Sequence, residues 1–396
     1  MNATTVIDID SHFFEPFDWC QRRFPELAAE LPPLDDVALL ATTGFGDVLG
    51  SLPKAAIPSD PIDRLVPAMR DAYRQADEAQ RRQIVGTVIA QIQGVAGAWK
   101  PADRIAYLDQ QGINIQFILP TFAFTPIAKQ RRERPEGTAK LMCAYNTWAC
   151  ETLAGHRDRL IPVGIVDFQT MEIQTLCDEL TRLREAGSRC FVFWPTPARG
   201  KALSHPDFDQ VWAHAAVIGM IPMVHVGGGR PSFDDAWFDN GRPFPESLAS
   251  YFTQLHQLPE VFLTEMIFNG VLERHPALRI FVCELGIDWL PEWMRRIDRG
   301  RNFAARMGGQ RWSYPLKPSE YVRRQVRVSP LEFDPVADTI ARIGSEIVVF
   351  STDYPHPEGG QNAVARYRGE LEGQLDASTL AHFFGGGATE ALAVAA

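Results

Sequence analysis

The sequence predicts an α/β fold, a distorted (β/α)8 barrel with an insertion after its first strand. Three observations point there. Short apolar β-like runs alternate with helix-like stretches along most of the 396 residues. Glycine closes several of the helical stretches, as parallel βα units commonly require. Several apolar runs stop at an Asp, His or Glu, and a barrel gathers the C-terminal ends of its strands at one mouth.

The first strand spans Val6 to Asp10 and breaks off in Asp10-Ser11-His12. Residues 17–100 do not keep the βα rhythm. They are rich in proline early (Pro25, Pro32, Pro33, Pro53, Pro58, Pro61) and turn into a polar helix near Met69 to Gln93. This stretch reads as an insertion that caps or flanks the barrel mouth, inside a single domain of residues 1–396. Asp103 to Gln111 is a helix closed by Gly112 and leads to the strand Ile115 to Leu119. Lys140 to Ala154 is helical before the strand Leu160 to Val166. Met171 to Glu185 is an amphipathic helix ending at Ala186-Gly187, and it feeds the strand Cys190 to Trp194. Asp207 to Ile218, capped by Gly219, precedes the strand Ile221 to His225. A Gly-rich stretch, Gly227 to Pro245, reads as a flexible loop facing substrate. Pro259 to Asn269 is then a helix stopped by Gly270, and Leu278 to Glu284 is a strand. The helix Leu290 to Arg301, the weaker strand Gln325 to Ser329, the helix Pro335 to Ile343 and the strand Glu346 to Phe350 complete eight units. An open doubly wound sheet fits the same alternation, but it would scatter the strand-end residues along an edge.

Composition narrows the function classes. A hydrophobic fraction of 45% and a charged fraction of 22% are those of an ordinary soluble globular protein. The net charge of −10, with no block of Lys and Arg, disfavours nucleic acid or an anionic membrane as partner. Six cysteines, at 20, 143, 150, 177, 190 and 283, form no C-x-x-C pair and read as buried free thiols of a reducing cytosol. No secretory signal precedes the first strand, and no apolar stretch approaches the roughly 20 residues of a membrane helix. A cytoplasmic protein is expected.

Residues two apart on an extended strand point to the same side, so Asp10 and His12 can converge just past the strand end. Half a site for a divalent metal results. His225 ends Met223-Val224-His225, and Asp353 ends Val348-Val349-Phe350-Ser351-Thr352-Asp353, so each closes another apolar run. Two imidazoles and two carboxylates make a mixed nitrogen and oxygen set, suited to Zn²⁺ or Mn²⁺.

Four blocks carry a resemblance. They are Asp8-Ile9-Asp10-Ser11-His12-Phe13-Phe14-Glu15-Pro16, Asn269-Gly270-Val271-Leu272-Glu273-Arg274-His275-Pro276, Glu284-Leu285-Gly286-Ile287-Asp288-Trp289-Leu290-Pro291 and Ser351-Thr352-Asp353-Tyr354-Pro355-His356. Together they resemble the amidohydrolase-related family, in the branch that includes aminocarboxymuconate-semialdehyde decarboxylase and gamma-resorcylate decarboxylase. The resemblance implies one divalent metal at the barrel mouth, with Asp10, His12, His225 and Asp353 at the ligand positions. It departs from the family at Asp10, where relatives often carry His or Glu, and at Glu284, where the decarboxylases commonly carry a catalytic His.

The expected function is a metal-dependent lyase that decarboxylates an aromatic or muconate-like acid. A hydrolase or hydratase using metal-activated water is the alternative, with Glu284 as base; a non-catalytic relative that binds a ligand at the mouth is a further one. Catalytic roles fall to Glu284, Asp353 and His225. His356, Trp194, Phe122 and Trp289 are the candidate substrate contacts. Glu284 could instead pair with an arginine such as Arg295, and His225 could be a satisfied core histidine. Asp8 is expected to support its neighbours or to cap, and Glu15-Pro16 to fix the loop leaving the first strand. A homodimer is expected, with Trp289, Trp293 and the apolar tail from Ala388 supplying the interface.

Overall fold

The computed structural model describes residues 5–16, 18–30, 94–227, 252–309, 311–356 and 362–394, with a few positions between 72 and 83. Strand-forming runs in this chain are rich in apolar residues, as strands covered on both faces are, with Asp8, Asp10, Gln116 and Arg327 among the buried polar exceptions. They form one parallel sheet in sequence order: β1 (Ile7–His12), β2 (Ile115–Leu119), β3 (Leu160–Ile165), β4 (Cys190–Val192), β5 (Ile221–His225), β6 (Ile280–Cys283) and β7 (Val326–Val328). Helices connect the strands, among them Pro101–Gln111, Thr138–Thr152, Ile173–Glu185, Asp209–Ile218, Gln257–Phe268 and Leu290–Arg306. Gly112 and Gly219 end two of these helices at φ 71°, the left-handed conformation that glycine adopts without a Cβ penalty.

The expected last strand, Glu346 to Phe350, is not a regular strand. Val348 makes a lone parallel bridge to Val328 of β7, and Tyr354 makes another to Ser11 of β1. The amide of Val349 donates to Val328 O at 3.0 Å, and the amide of His12 donates to Tyr354 O at 2.7 Å. The segment 347–354 therefore lies between the two edge strands of the sheet and touches both. Past Phe350, Asp353 sits at φ 55° and turns the backbone out of the extended region.

Strand β1 is irregular as well. Asp8 pairs with Gln116 and Ser11 with Ile118, so β1 carries one residue more than β2 across that interval. Such a bulge twists the strand and re-aims its side chains. Asp10 lies inside it.

The insertion expected at 17–100 falls mostly outside the described residues, as do the loop from Gly228 to Pro245 and nearly all of the polar helix near Met69 to Gln93. At the start of the insertion are the short helices Trp19–Arg23 and Pro25–Glu30. Trp19 packs on Tyr145 and Trp148 with ring centroids at 5.6 and 5.8 Å. Helices Phe124–Glu133, Pro318–Gln325 and Ala363–Leu371 were not foreseen. Their polar faces weaken the apolar period on which the sequence reading relied.

One residue expected at an interface is interior instead. Trp293 is buried and donates its indole N–H to Thr264 Oγ1 at 3.0 Å. The C-terminal tail is helical from Gly387 to Ala393; it buries Ala388 and Ala391 and leaves Thr389, Glu390 and Ala393 exposed. Phe383 and Phe384, just before it, pack around Phe350. Gly385 allows this approach, because a Cβ there would collide with the carbonyl oxygen of Thr5. Gly385→Ala should destabilise the protein by about 1–3 kcal/mol, the usual cost of overpacking against backbone. Chemical denaturation read by tryptophan fluorescence checks this, and an unchanged midpoint would show that the tail packing is looser than described.

Candidate metal centre

Strand ends bring the candidate side chains together. His12 closes β1, His225 closes β5, Glu284 follows β6 directly, and Asp353 ends the segment between β7 and β1. His12 is the hub. Its Nε2 lies 3.4 Å from Asp10 Oδ1 and 3.4 Å from Asp353 Oδ1. His225 Nε2 lies 3.4 Å from Asp10 Oδ1 and 3.1 Å from Glu284 Oε2. The donor atoms of Asp10, His12 and His225 all fall within 4.8 Å of one another, and so do those of His12, Glu284, Asp353 and His356. All four expected metal-ligand positions and the expected catalytic Glu284 therefore occupy one cluster. Glu284 does not pair with Arg295, which instead contacts Glu292 within its own helix.

Backbone carbonyls fix the imidazole tautomers. Nδ1 of His12 lies 3.0 Å from Pro120 O, and Nδ1 of His225 lies 2.9 Å from Val226 O. A carbonyl only accepts, so each Nδ1 carries the proton and each Nε2 presents a lone pair to the cluster. This is the arrangement by which an outer hydrogen bond orients a metal-binding histidine. Burial, joined by the neighbouring His356, holds the His12 pKa down at about 3, which keeps the ring neutral.

The residues fit a divalent cation. Both carboxylate oxygens of Asp10 and Nε2 of His12 are buried without a hydrogen-bond partner. Buried polar atoms in that state are costly and rare. A cation among them would satisfy all three atoms at once, and the oxygen and nitrogen donors suit Mn²⁺ or Zn²⁺.

Backbone strain is concentrated here. Among the described residues, three other than glycine have positive φ, and two of them are Glu284 at 57° and Asp353 at 55°. Each costs on the order of 1–3 kcal/mol and persists where surrounding structure over-determines it. No sequence signal marks either residue for this conformation, since Glu in particular disfavours it.

A polar chain behind the cluster includes residues that sequence reasoning missed. The buried Asp8 carboxylate accepts from the amides of Asp10 at 3.1 Å and Thr352 at 3.0 Å. It also accepts from the Thr352 hydroxyl at 2.6 Å and from Gln116 Nε2 at 2.8 Å. Gln116 Oε1 in turn accepts from Arg104 Nη1 at 3.0 Å. Arg104, buried beneath the ring of Tyr354, also donates to the carbonyls of His12 and Gly97. Burial pushes the Asp8 pKa up to about 7, against the pull of its donors. The expected role of Glu15 holds: its carboxylate accepts from the amides of Thr121 at 3.1 Å and Phe122 at 2.8 Å.

The remaining candidates divide. His356 stacks on His12 with centroids 4.1 Å apart, and its nitrogens reach Asp353 Oδ1 at 2.9 Å and Thr121 Oγ1 at 3.1 Å. Phe122 is buried and stacks on Phe14, itself 5.7 Å from the His356 ring. Trp194 is buried under the Arg131 guanidinium, among contacts that do not include the cluster. Trp289 lines a cavity of about 540 Å³ at the ends of β6 and β7, with Leu285, Gly286, Leu331 and Asp334. A smaller recess beside it is lined by Asp10, Glu284, Leu331 and Asp353.

The family model described as amidohydrolase matches residues 7–394. The chain belongs to that family. No curated protein matches it in sequence. Among solved structures it is similar to an amidohydrolase from Mycobacterium avium subsp. paratuberculosis K-10, with 20% identity, a TM-score of 0.67 and coverage of 99% of this chain and 100% of that one. The 5-carboxyvanillate decarboxylase of Novosphingobium aromaticivorans, complexed with manganese and 4-hydroxy-3-methoxy-5-nitrobenzoic acid, has 17% identity, a TM-score of 0.63 and coverage of 99% and 96%. The 2,6-dihydroxybenzoate decarboxylase of Rhizobium has 13% identity, a TM-score of 0.61 and full coverage of both chains, 100% each. At these identities the likeness establishes the fold. In the described residues, no helix is long and apolar enough to cross a membrane.

Proposed function

We propose that this chain is a metal-dependent lyase that removes the carboxylate of an aromatic or muconate-like acid. The observation that carries the reading is the buried cluster in which Asp10, His12 and His225 converge with Glu284 and Asp353 at the strand ends. Two of the full-length structural relatives are decarboxylases of hydroxylated aromatic acids, which favours this chemistry among those open to the family. We further propose that the segment 347–354 completes a distorted (β/α)8 barrel and that residues 17–100 form a cap within the same domain.

Asp10, His12, His225 and Asp353 would hold the cation, Mn²⁺ or Zn²⁺. Bound there, it would chelate substrate oxygens and stabilise the electron pair left on carbon when carbon dioxide departs. Asp10 and Asp353 supply the negative charge that retains a dication in a buried site. The carbonyls of Pro120 and Val226 keep both imidazoles aimed inward. Glu284 is assigned the proton transfer, delivering a proton to the carbon that has lost carbon dioxide. Trp289 and the neighbouring cavity offer an apolar wall for a ring.

Glu284 also supports a second reading. A carboxylate stands where decarboxylases of the family commonly carry His, and a carboxylate is a competent base for water. Hydrolysis or hydration would then be the reaction. Incubating the manganese-loaded protein with a panel of hydroxybenzoates and ring-cleavage acids separates the two. Release of carbon dioxide supports the lyase, while turnover without it supports the second reading.

Two variants test the assignments. His12→Ala should weaken metal binding by more than the roughly 10–100-fold that losing an outer hydrogen-bond partner costs, with far-UV circular dichroism preserved. Glu284→Gln keeps the shape and removes the basicity, so turnover should fall by roughly 10²-fold or more at unchanged metal content. Loss of metal in the Gln variant would make Glu284 a ligand, and full activity would remove it from the chemistry.

A further inference from the structure

Asp10 and Asp353 belong to segments that do not share a continuous ladder, yet their side chains must keep a fixed separation to hold one ion. The bulge in β1 takes Asp10 out of regular pairing, and the left-handed turn at Asp353 does the same on the other side. Both backbones are then held by bonds outside the ladder. The amide of Asp10 donates to Asp8, the carbonyl of Asp10 accepts from the amide of Asp353 at 2.8 Å, and Thr352 donates twice to Asp8. Thr352 Oγ1 also accepts from the amide of Tyr354 at 3.0 Å, which continues the turn. One carboxylate thus grips the backbone of Asp10 and the residue before Asp353.

We propose that Asp8 is a positioning residue that sets the spacing of Asp10 and Asp353, with Gln116 and Arg104 holding it from behind. The inference rests on reading those two acids as metal-holding residues. Three features carry it. Asp8 has four donors, two of them on Thr352, so its orientation is over-determined. Its partner Gln116 is turned by Arg104, whose other bonds go to the carbonyls of His12, Gly97 and Ala98. The chain Arg104–Gln116–Asp8–Thr352 thus ties three elements, β1, β2 and the 347–354 segment, to the helix Pro101–Gln111. Asp8 itself is fully buried and touches neither His12 nor His225 through any of these bonds.

The test measures Mn²⁺ binding directly, by equilibrium dialysis of the full chain with the metal alone. Thr352→Val keeps the shape and removes the hydroxyl. Gln116→Leu removes a donor remote from both acids and reports independently should the first variant not fold. Both should bind Mn²⁺ roughly 10–100-fold more weakly, the range for outer-shell partners of a metal site. Thr352→Ser restores the hydroxyl and should restore the affinity. Thermal melting of the metal-free proteins separates this from a loss of stability. Wild-type affinity in Thr352→Val and Gln116→Leu overturns the inference, as does a loss in Thr352→Ser equal to that in Thr352→Val. Failure of the wild-type chain to bind Mn²⁺, or equal binding by His12→Ala, overturns the reading of the site itself and is distinguishable from both.

Discussion

A carboxylate buried without donors is expensive, and Asp8 escapes that penalty by drawing donors from both sides of the place where the sheet's edge strands come together. Its bonds to Thr352 span 344 residues of chain and join the beginning of the sheet to its end. Elsewhere the sheet is held by parallel ladders and apolar side chains. At this seam it depends on a polar contact of fixed direction. Hydrophobic packing is non-directional and could not set the spacing of two acids to a fraction of an ångström. Directional hydrogen bonds to a buried carboxyl group can.

The same seam explains where strain is tolerated. Asp353 keeps its left-handed backbone because its neighbours are tied: Thr352 to Asp8, its own amide to Asp10, and the amide of His356 to its carbonyl at 2.9 Å. Glu284 keeps its own through the turn that follows it. There Gly286 takes φ 70°, and the amides of Ile287 and Leu331 both donate to Asp334. In each case strain of about 1–3 kcal/mol aims an acidic side chain at His12 or His225. The regular strands below carry the stability, so the mouth can depart from ideal geometry.

Alternation of apolar runs and Gly-capped helices made the order of seven parallel strands legible, because strand burial on both faces leaves a continuous apolar signature. The residues that meet at the mouth were legible too. Asp10, His12, His225, Glu284 and Asp353 each interrupt or follow such a run with a side chain able to bind metal or move protons. Less legible was the irregular backbone between β7 and β1, whose apolar stretch Ile347 to Phe350 reads as a strand but bridges its neighbours only singly. Periodicity cannot distinguish these outcomes, since both bury the same residues.

By itself, then, the sequence determined the order of seven parallel strands, most of the helices between them, and which ligand-type residues stand at the strand ends, because those follow from local periodicity and residue chemistry. The tertiary structure alone decided the tautomer of His12, the left-handed turns at Glu284 and Asp353, and the burial of Arg104 behind Gln116. Each of these depends on a partner distant in the chain: a carbonyl 108 residues away in the case of His12, and a threonine on the far side of the sheet in the case of Asp8. No local pattern encodes such a pairing, because the energy that selects it exists only once the sheet has brought its two edges together.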